Sequence, residues 1–331
     1  MKERQFGNTD LTVSEVGFGA WGIGGPAMAG DVPIGWGNVD DSISVKSLKT
    51  AVDRGMNFID TADFYGLGHS EKLIGSTFGN SGEVIIATKV GHRLAKDKSI
   101  FLDYSKEHIL QACDNSLKRL DREVIDYYQL HSAKLEHLEN GECIEAMEEL
   151  KEKGKIRYWG ISLSTYNPFP EAEFMIKNKL GSGFQLVFNV INQRALSLLD
   201  TASNNGFGII ARMPLQFGLL TGKFDANKKF QENDHRQFRL KPEVLERAID
   251  DLAEVWELCD NYEISKTALS LSFILSFPQI STVIPGIKTP AQAIINSTDL
   301  IKLYKDDKDF LIELYETKLK HLLEFIEENE G

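Results

Sequence analysis

Residues 55–75 read GMNFIDTADFYGLGHSEKLIG. The run 57–60 is short and apolar and ends on Asp60; a glycine-bearing loop follows, and a helical pattern occupies 69–79. One strand, one loop and one helix thus follow in order, and the same unit recurs along the chain. Strand candidates fall at 16–21, 57–60, 84–90, 125–131, 157–162, 184–190, 209–215 and 282–287. Helical patterns fill 44–54, 69–79, 106–120, 141–153, 170–179, 196–205, 242–261 and 290–296. In the first of these Ser44 is placed to cap, Val45, Leu48 and Val52 share a face, and Gly55 ends the run. The strands are mostly apolar on both faces, as parallel strands under crossover helices must be. Eight units without a break in composition predict an α/β fold, a (β/α)8 TIM barrel forming a single domain over 1–331. A doubly wound sheet would share the alternation. Residues 3–13, turning at Gly7-Asn8, predict an N-terminal hairpin across the bottom of the barrel, and 266–277 and 306–328 predict extra C-terminal helices. The stretch 22–40 is an enlarged first βα loop, and 216–241 is a connection long enough to be functional or mobile.

Composition narrows the class. With 331 residues, 42% hydrophobic and 26% charged, the chain has the means to build a core and is not a disordered one. The net charge of −12 and the lack of a Lys/Arg block argue against nucleic-acid binding. No run reaches about 18 apolar residues, so none spans a bilayer. The charged start MKERQFGNTD is unlike a signal peptide, and a cytoplasmic protein is expected. Cys113, Cys143 and Cys259 each lie on the apolar stripe of a helical pattern and read as buried thiols. Seven histidines without paired spacing give no metal signature.

In such a barrel, polar residues at strand carboxyl ends build the active site. Asp60 ends NFID, Lys89 ends IIATK, His131 ends DYYQLH, and Tyr65 follows Asp60 by five residues. Singly they read as a structural ion pair, a core histidine and a loop aromatic. Together they bring an acid, a base, an imidazole and a phenol to one rim, which is a constellation for proton transfer. The glycines of 22–25 are not a dinucleotide fingerprint, because no GxGxxG opens a helix after them.

The blocks 55–75, IIATK (85–89), DYYQLH (126–131), GIS (160–162), PLQFGLLTGKF (214–224) and VIPGIKTPAQAIINS (283–297) resemble, in order and over nearly the whole chain, the aldo-keto reductase family. That resemblance implies a (β/α)8 barrel and NADPH-dependent reduction of aldehydes or ketones, with NADH use left open. By the same resemblance Tyr65 is the general acid, Lys89 and Asp60 tune it, and His131 orients the carbonyl. A free tyrosine has a pKa of about 10, and an adjacent ammonium is expected to lower it. Asp60 would keep Lys89 charged.

Ala20, Trp21, Ser162 and Gln185 resemble positions around the nicotinamide and pocket wall, and Phe64 adds a further apolar surface. The family often has Asn after that serine, where this chain has Leu163. Pro214, Leu215, Gly218 and Lys223 resemble the pyrophosphate loop. Gly286, Lys288, Gln292 and Asn296 resemble the contacts to the adenosine and its 2′-phosphate, with Lys288 in place of a common Arg and Ile295 in place of a frequent Glu. Arg236 is a second candidate for the phosphate.

Arg212 stands where many relatives carry an aromatic under the nicotinamide. It is expected to lie flat in that slot, or else to turn into the pocket toward an anionic substrate or an acidic neighbour. The expected partner is a small-molecule carbonyl, with no nucleic acid and no membrane. An NADPH-binding regulatory or partner-docking module is the alternative, since potassium-channel β subunits resemble the same family. An unrelated isomerase or hydrolase barrel lacks evident metal ligands or paired carboxylates here.

Overall fold

The computed structural model describes residues 1–329. Eight parallel strands follow one another in chain order around a single sheet: β1 (Phe18–Gly19), β2 (Phe58–Asp60), β3 (Ile85–Val90), β4 (Ile125–His131), β5 (Ile156–Ser162), β6 (Gly183–Val187), β7 (Gly208–Arg212) and β8 (Thr282–Val283). Val16 bridges Val283 and Gly19 bridges Gly286, both in parallel, so first and last strands meet and the barrel closes. The strands are apolar because both faces are covered, and β2 and β6 are buried at every position. The expected barrel is thus observed.

Register levels the carboxyl ends. Gly19 lies opposite Asp60, Gln129 opposite Lys89, His131 opposite Ser162, and Ser162 opposite Gln185. The residues expected at the rim therefore come from neighbouring strands at one height.

The barrel's amino end is plugged as expected. Glu3–Gln5 pairs with Thr12–Ser14, and the turn between them drives Phe6 into the barrel, edge-on to Tyr127 at 4.9 Å. Room for that ring comes from two glycines. A Cβ on Gly208 would lie 2.6 Å from the Phe6 ring, and one on Gly183 2.7 Å from it. Any side chain at either position would expel the plug.

The first barrel helix, Asp41–Asp53, starts earlier than its apolar pattern suggests. Asp40, not Ser44, is its cap: the Asp40 carboxylate accepts from the amides of Ser42 and Ile43, at 2.8 and 3.2 Å, while Ser44 Oγ donates to the Asp40 carbonyl. The pattern over 242–261 divides into Pro242–Asp251 and Ala253–Tyr262, and the last helical stretch into Lys305–Leu314 and Lys320–Asn329 around a π turn. Cys113, Cys143 and Cys259 are unpaired and buried, as their helical positions indicated. Among the described residues no helix is long and apolar enough to cross a membrane.

Two short hairpins were not expected. Met28–Ala29 pairs with Val32–Pro33 inside the enlarged first loop, and His92–Leu94 pairs with Ile100–Leu102 after β3. The first loop and the long connection also meet, through a bridge from Trp36 to Asp234 and the His235 amide donating to the Gly35 carbonyl at 3.3 Å.

Candidate active site

Lys89 is held inside the barrel with no exposed surface. Its Nζ lies 2.5 Å from Asp60 Oδ1, 2.7 Å from the Thr61 carbonyl and 3.2 Å from the Tyr65 hydroxyl. Three donors thus find three acceptors, all an ammonium can serve. Asp60 is in turn gripped by two amides, Gln185 Nε2 at 2.7 Å and Gln129 Nε2 at 3.3 Å, both on its Oδ2. The Asp60–Lys89 charge pair is therefore fully bonded, the condition under which a buried pair is tolerable.

Tyr65 sits at the first turn after β2. Its ring stacks on Trp21, with centroids 5.8 Å apart and planes 17° apart, and stands edge-on to His131 at 6.0 Å. The expected tetrad thus gathers in one place. The expectation that the phenol is lowered is not met. Burial pushes the Tyr65 pKa above its ordinary value; Lys89 pulls it down, but Asp60 opposes that pull. A carboxylate 2.5 Å from the ammonium cancels much of its field at the phenol. For Lys89 itself, burial favours losing the proton, but Asp60 and Tyr65 outweigh it, so its pKa is raised and it stays charged.

His131 is held well below the ordinary histidine range, by burial first and then by His92, Lys89 and Arg212. It is neutral at physiological pH and so offers one N–H. Tyr104 donates to its carbonyl at 2.5 Å and fixes the backbone from which the ring projects. His92 packs against it with ring centroids 4.3 Å apart, and burial followed by the nearby Lys89 brings His92 to about 4.

Of the remaining candidates, Ala20 opens the turn that carries Trp21, and its carbonyl accepts from Ser70 Oγ at 3.0 Å. Ser162 and Gln185 end up side by side, and Gln185 spends its NH2 group on Asp60 and Gln129, the latter at 3.2 Å. Arg212 ends β7. Its guanidinium donates to the Leu163 carbonyl and to Thr165 Oγ1, each at 3.1 Å, and lies 3.1 Å from Met213 Sδ; none of these partners is a carboxylate.

Pro214, Leu215 and Gly218 lie in a sharply bent loop where Met213, Gln216 and Phe217 all have positive φ. Each such residue costs on the order of 1–3 kcal/mol, and strain of this kind gathers at ligand clamps. Asn189 secures the bend, donating to the Met213 carbonyl at 2.9 Å and to Gln216 Oε1 at 3.0 Å. Lys223, just beyond the bend, is exposed. Gly286 has open space where a Cβ would stand. Gln292 Oε1 accepts from the Lys288 and Thr289 amides, at 2.7 and 3.2 Å, and so anchors the start of the helix Pro290–Ile295. Asn296 is buried with its Nδ2 unpartnered. Arg236, the second phosphate candidate, is ion-paired with Asp234 at 2.5 Å.

Several site residues escaped sequence reading. Gln129 lies two residues before His131 and shares its side of the strand, a period-two signal that was there to be used. Trp36, Phe217 and His235 pack together over Trp21, with His235 4.5 Å from Trp21 and 5.0 Å from Trp36. No local pattern announces that contact.

Behind the tetrad, Glu71 is fully buried, accepting from Thr88 Oγ1 and Arg119 Nε, each at 2.6 Å. Beside it Asp63 has a buried Oδ1 with no partner, and burial, then the Glu71 charge, raise its pKa well above the ordinary carboxylate value, Arg119 only partly opposing them. Asp63 therefore takes up a proton on folding, and stability falls as pH rises above the unfolded value of about 4. Asp63→Asn, which mimics the protonated acid, is expected to raise the melting temperature at pH 7 and to flatten its decline between about pH 4 and 7. A variant with the wild-type slope would show that Asp63 is charged in the fold.

The aldo/keto reductase family model matches residues 15–311. The chain is 32% identical over 290 residues to an uncharacterized oxidoreductase, YqkF, of Bacillus subtilis, covering 86% of this chain and 87% of that one. It is 28% identical over 333 residues to the NADH-specific methylglyoxal reductase of Escherichia coli, covering 96% and 99%. The structure superposes on the holo form of the aldo-keto reductase AKR11C1 from Bacillus halodurans with a TM-score of 0.77 and 26% identity, covering 95% of this chain and 96% of that one. Barrel, rim and sequence thus agree, and the chain belongs to the aldo/keto reductase family of oxidoreductases.

Proposed function

We propose that this chain is a cytoplasmic carbonyl reductase that takes hydride from NADPH, with Tyr65 as the general acid. The observation that carries the reading is the ammonium of Lys89, bonded at once to Asp60, Thr61 and Tyr65. The residues present fit a nicotinamide dinucleotide. Asn296 holds an unpartnered buried amide where the family resemblance places adenosine, and Arg212 Nε is likewise unpartnered. When bound, the reduced cofactor supplies the hydride.

The chain's own residues do the rest. The neutral imidazole of His131 and the Tyr65 hydroxyl are the donors for the carbonyl oxygen, where negative charge grows as the carbonyl carbon is reduced. Tyr65 passes its proton to that oxygen and becomes a phenolate. Lys89, kept charged by Asp60, lies 3.2 Å from the new anion and stabilises it. Trp21 covers one face of the Tyr65 ring and excludes water from that side. Loss of reduced-nicotinamide absorbance in the presence of simple aldehydes tests the reading; cofactor binding with no turnover of any carbonyl would favour a regulatory module instead.

Arg212 is the cation near the tetrad that has no carboxylate partner among its bonds. Oxidised nicotinamide is cationic and the reduced form is neutral, so an adjacent guanidinium disfavours the oxidised cofactor. Arg212→Tyr is expected to tighten NADP⁺ relative to NADPH by about tenfold, as titration of both would show. An unchanged ratio would mean that Arg212 does not face the nicotinamide.

A further inference from the structure

Lys288 is a half-buried lysine pinned at several points. Its stem passes so close to the first loop that a Cβ on Gly22 would stand 2.6 Å from Lys288 Cγ. Its amide donates to Gln292 Oε1 at 2.7 Å and its carbonyl accepts from Ser47 Oγ at 3.1 Å. Its Nζ donates to the Trp36 carbonyl at 2.8 Å, with the Asn38 carbonyl at 3.4 Å. A side chain that the family resemblance assigns to a phosphate is therefore also the strut under residues 36–38.

Trp36 in turn belongs to the wall over the tetrad. Its ring stands edge-on to Trp21 at 5.6 Å, and Trp21 lies parallel to Tyr65 at 5.8 Å. Trp21 Nε1 donates to the Ile34 carbonyl at 3.1 Å, so strut, loop and wall are one connected piece. Arg236 lies over the Trp36 ring at 4.8 Å, and the indole Nε1 of Trp36 is buried with no acceptor. A buried donor without a partner beside a reaction pocket suits a ligand oxygen.

We infer that Trp36 is a specificity-determining residue for the carbonyl, and that Lys288 makes its placement depend on whether the bound nucleotide carries a 2′-phosphate. The inference rests on the reading of the chain as a nicotinamide-dependent reductase. An ammonium has three donors, and two here face the carbonyls of the loop. A phosphate takes the third without displacing them. Its charge also opposes the burial and the Arg236 charge that weaken the ammonium, so the strut to Trp36 stiffens. NADH lacks that group and leaves the strut as it is. By linkage, a carbonyl ligand that touches Trp36 must favour NADPH over NADH by the same factor as NADPH favours that ligand.

The test is hydrogen exchange of the full chain over residues 32–40 with saturating NADPH or NADH, in the wild type and in Lys288→Met, together with KM for a bulky aryl aldehyde under each cofactor. The wild type is expected to exchange about fivefold more slowly at 34–38 with NADPH than with NADH, and to show a lower KM at similar kcat. Lys288→Met should erase both differences while exchange in the barrel strands stays as in the wild type. Trp36→Phe, which keeps the ring but loses Nε1, should equalise the two KM values while the exchange difference persists. If NADPH binds more tightly than NADH through Lys288 yet exchange at 34–38 is the same with both, the coupling to Trp36 is wrong and the cofactor reading survives. If neither nucleotide binds, it is the cofactor reading that fails.

Discussion

Tyr65→Phe is expected to lower kcat for carbonyl reduction by about 10²–10⁴-fold, the usual contribution of a positioned general acid, with little change in cofactor affinity. The hydroxyl is the only atom removed, and its one hydrogen bond is to Lys89 Nζ at 3.2 Å. The ring, which stacks on Trp21, remains. Lys89 keeps Asp60 and the Thr61 carbonyl, so the buried charges stay paired and the fold should be unaffected. Cofactor titration and melting temperature, measured alongside turnover, separate loss of chemistry from loss of structure. A variant retaining most of its kcat would remove Tyr65 from the mechanism.

Lys89→Met should damage the rate by a comparable factor and shift the pH profile, because Lys89 is the largest influence pulling the Tyr65 phenol down against burial. With it gone, burial and Asp60 are opposed only by the weaker pull of Arg212, so the alkaline limb of kcat moves to higher pH. The substitution also leaves the Asp60 carboxylate in the barrel with only the amides of Gln129 and Gln185, and stranding a buried charge costs about 3–5 kcal/mol. The double variant Asp60→Asn, Lys89→Met removes both charges and is expected to melt higher than Lys89→Met while remaining as slow. An alkaline limb unmoved by Lys89→Met would show that Lys89 does not tune the acid.

The barrel was legible because its signal is periodic and repeated. Runs such as 125–131 are buried on nearly every residue, and helices such as Lys106–Leu120 bury a single stripe, largely apolar, of Ile109, Ala112, Cys113, Ser116 and Leu120. The tetrad was legible because strand ends are fixed points in such a fold. Choices among equivalent local options were not. Asp40, Ser42 and Ser44 can each cap a helix, and the structure lets Asp40 do it. Contacts between distant loops were hidden as well, since Trp36 and His235 meet across about 200 residues with no shared pattern. The direction of the Tyr65 shift was misjudged because spacing shows that a lysine is near but shows neither how deeply the phenol is buried nor that Asp60 lies 2.5 Å from the ammonium.

The most direct measurement is the pH dependence of single-turnover carbonyl reduction, at saturating cofactor, in the wild type and Tyr65→Phe side by side. The wild-type rate should fall at alkaline pH as the phenol loses the proton it must give, with its midpoint above the ordinary tyrosine value because burial raises it. The residual rate of Tyr65→Phe should carry no such limb. The same alkaline limb in both proteins would assign the proton to another group and contradict the mechanism.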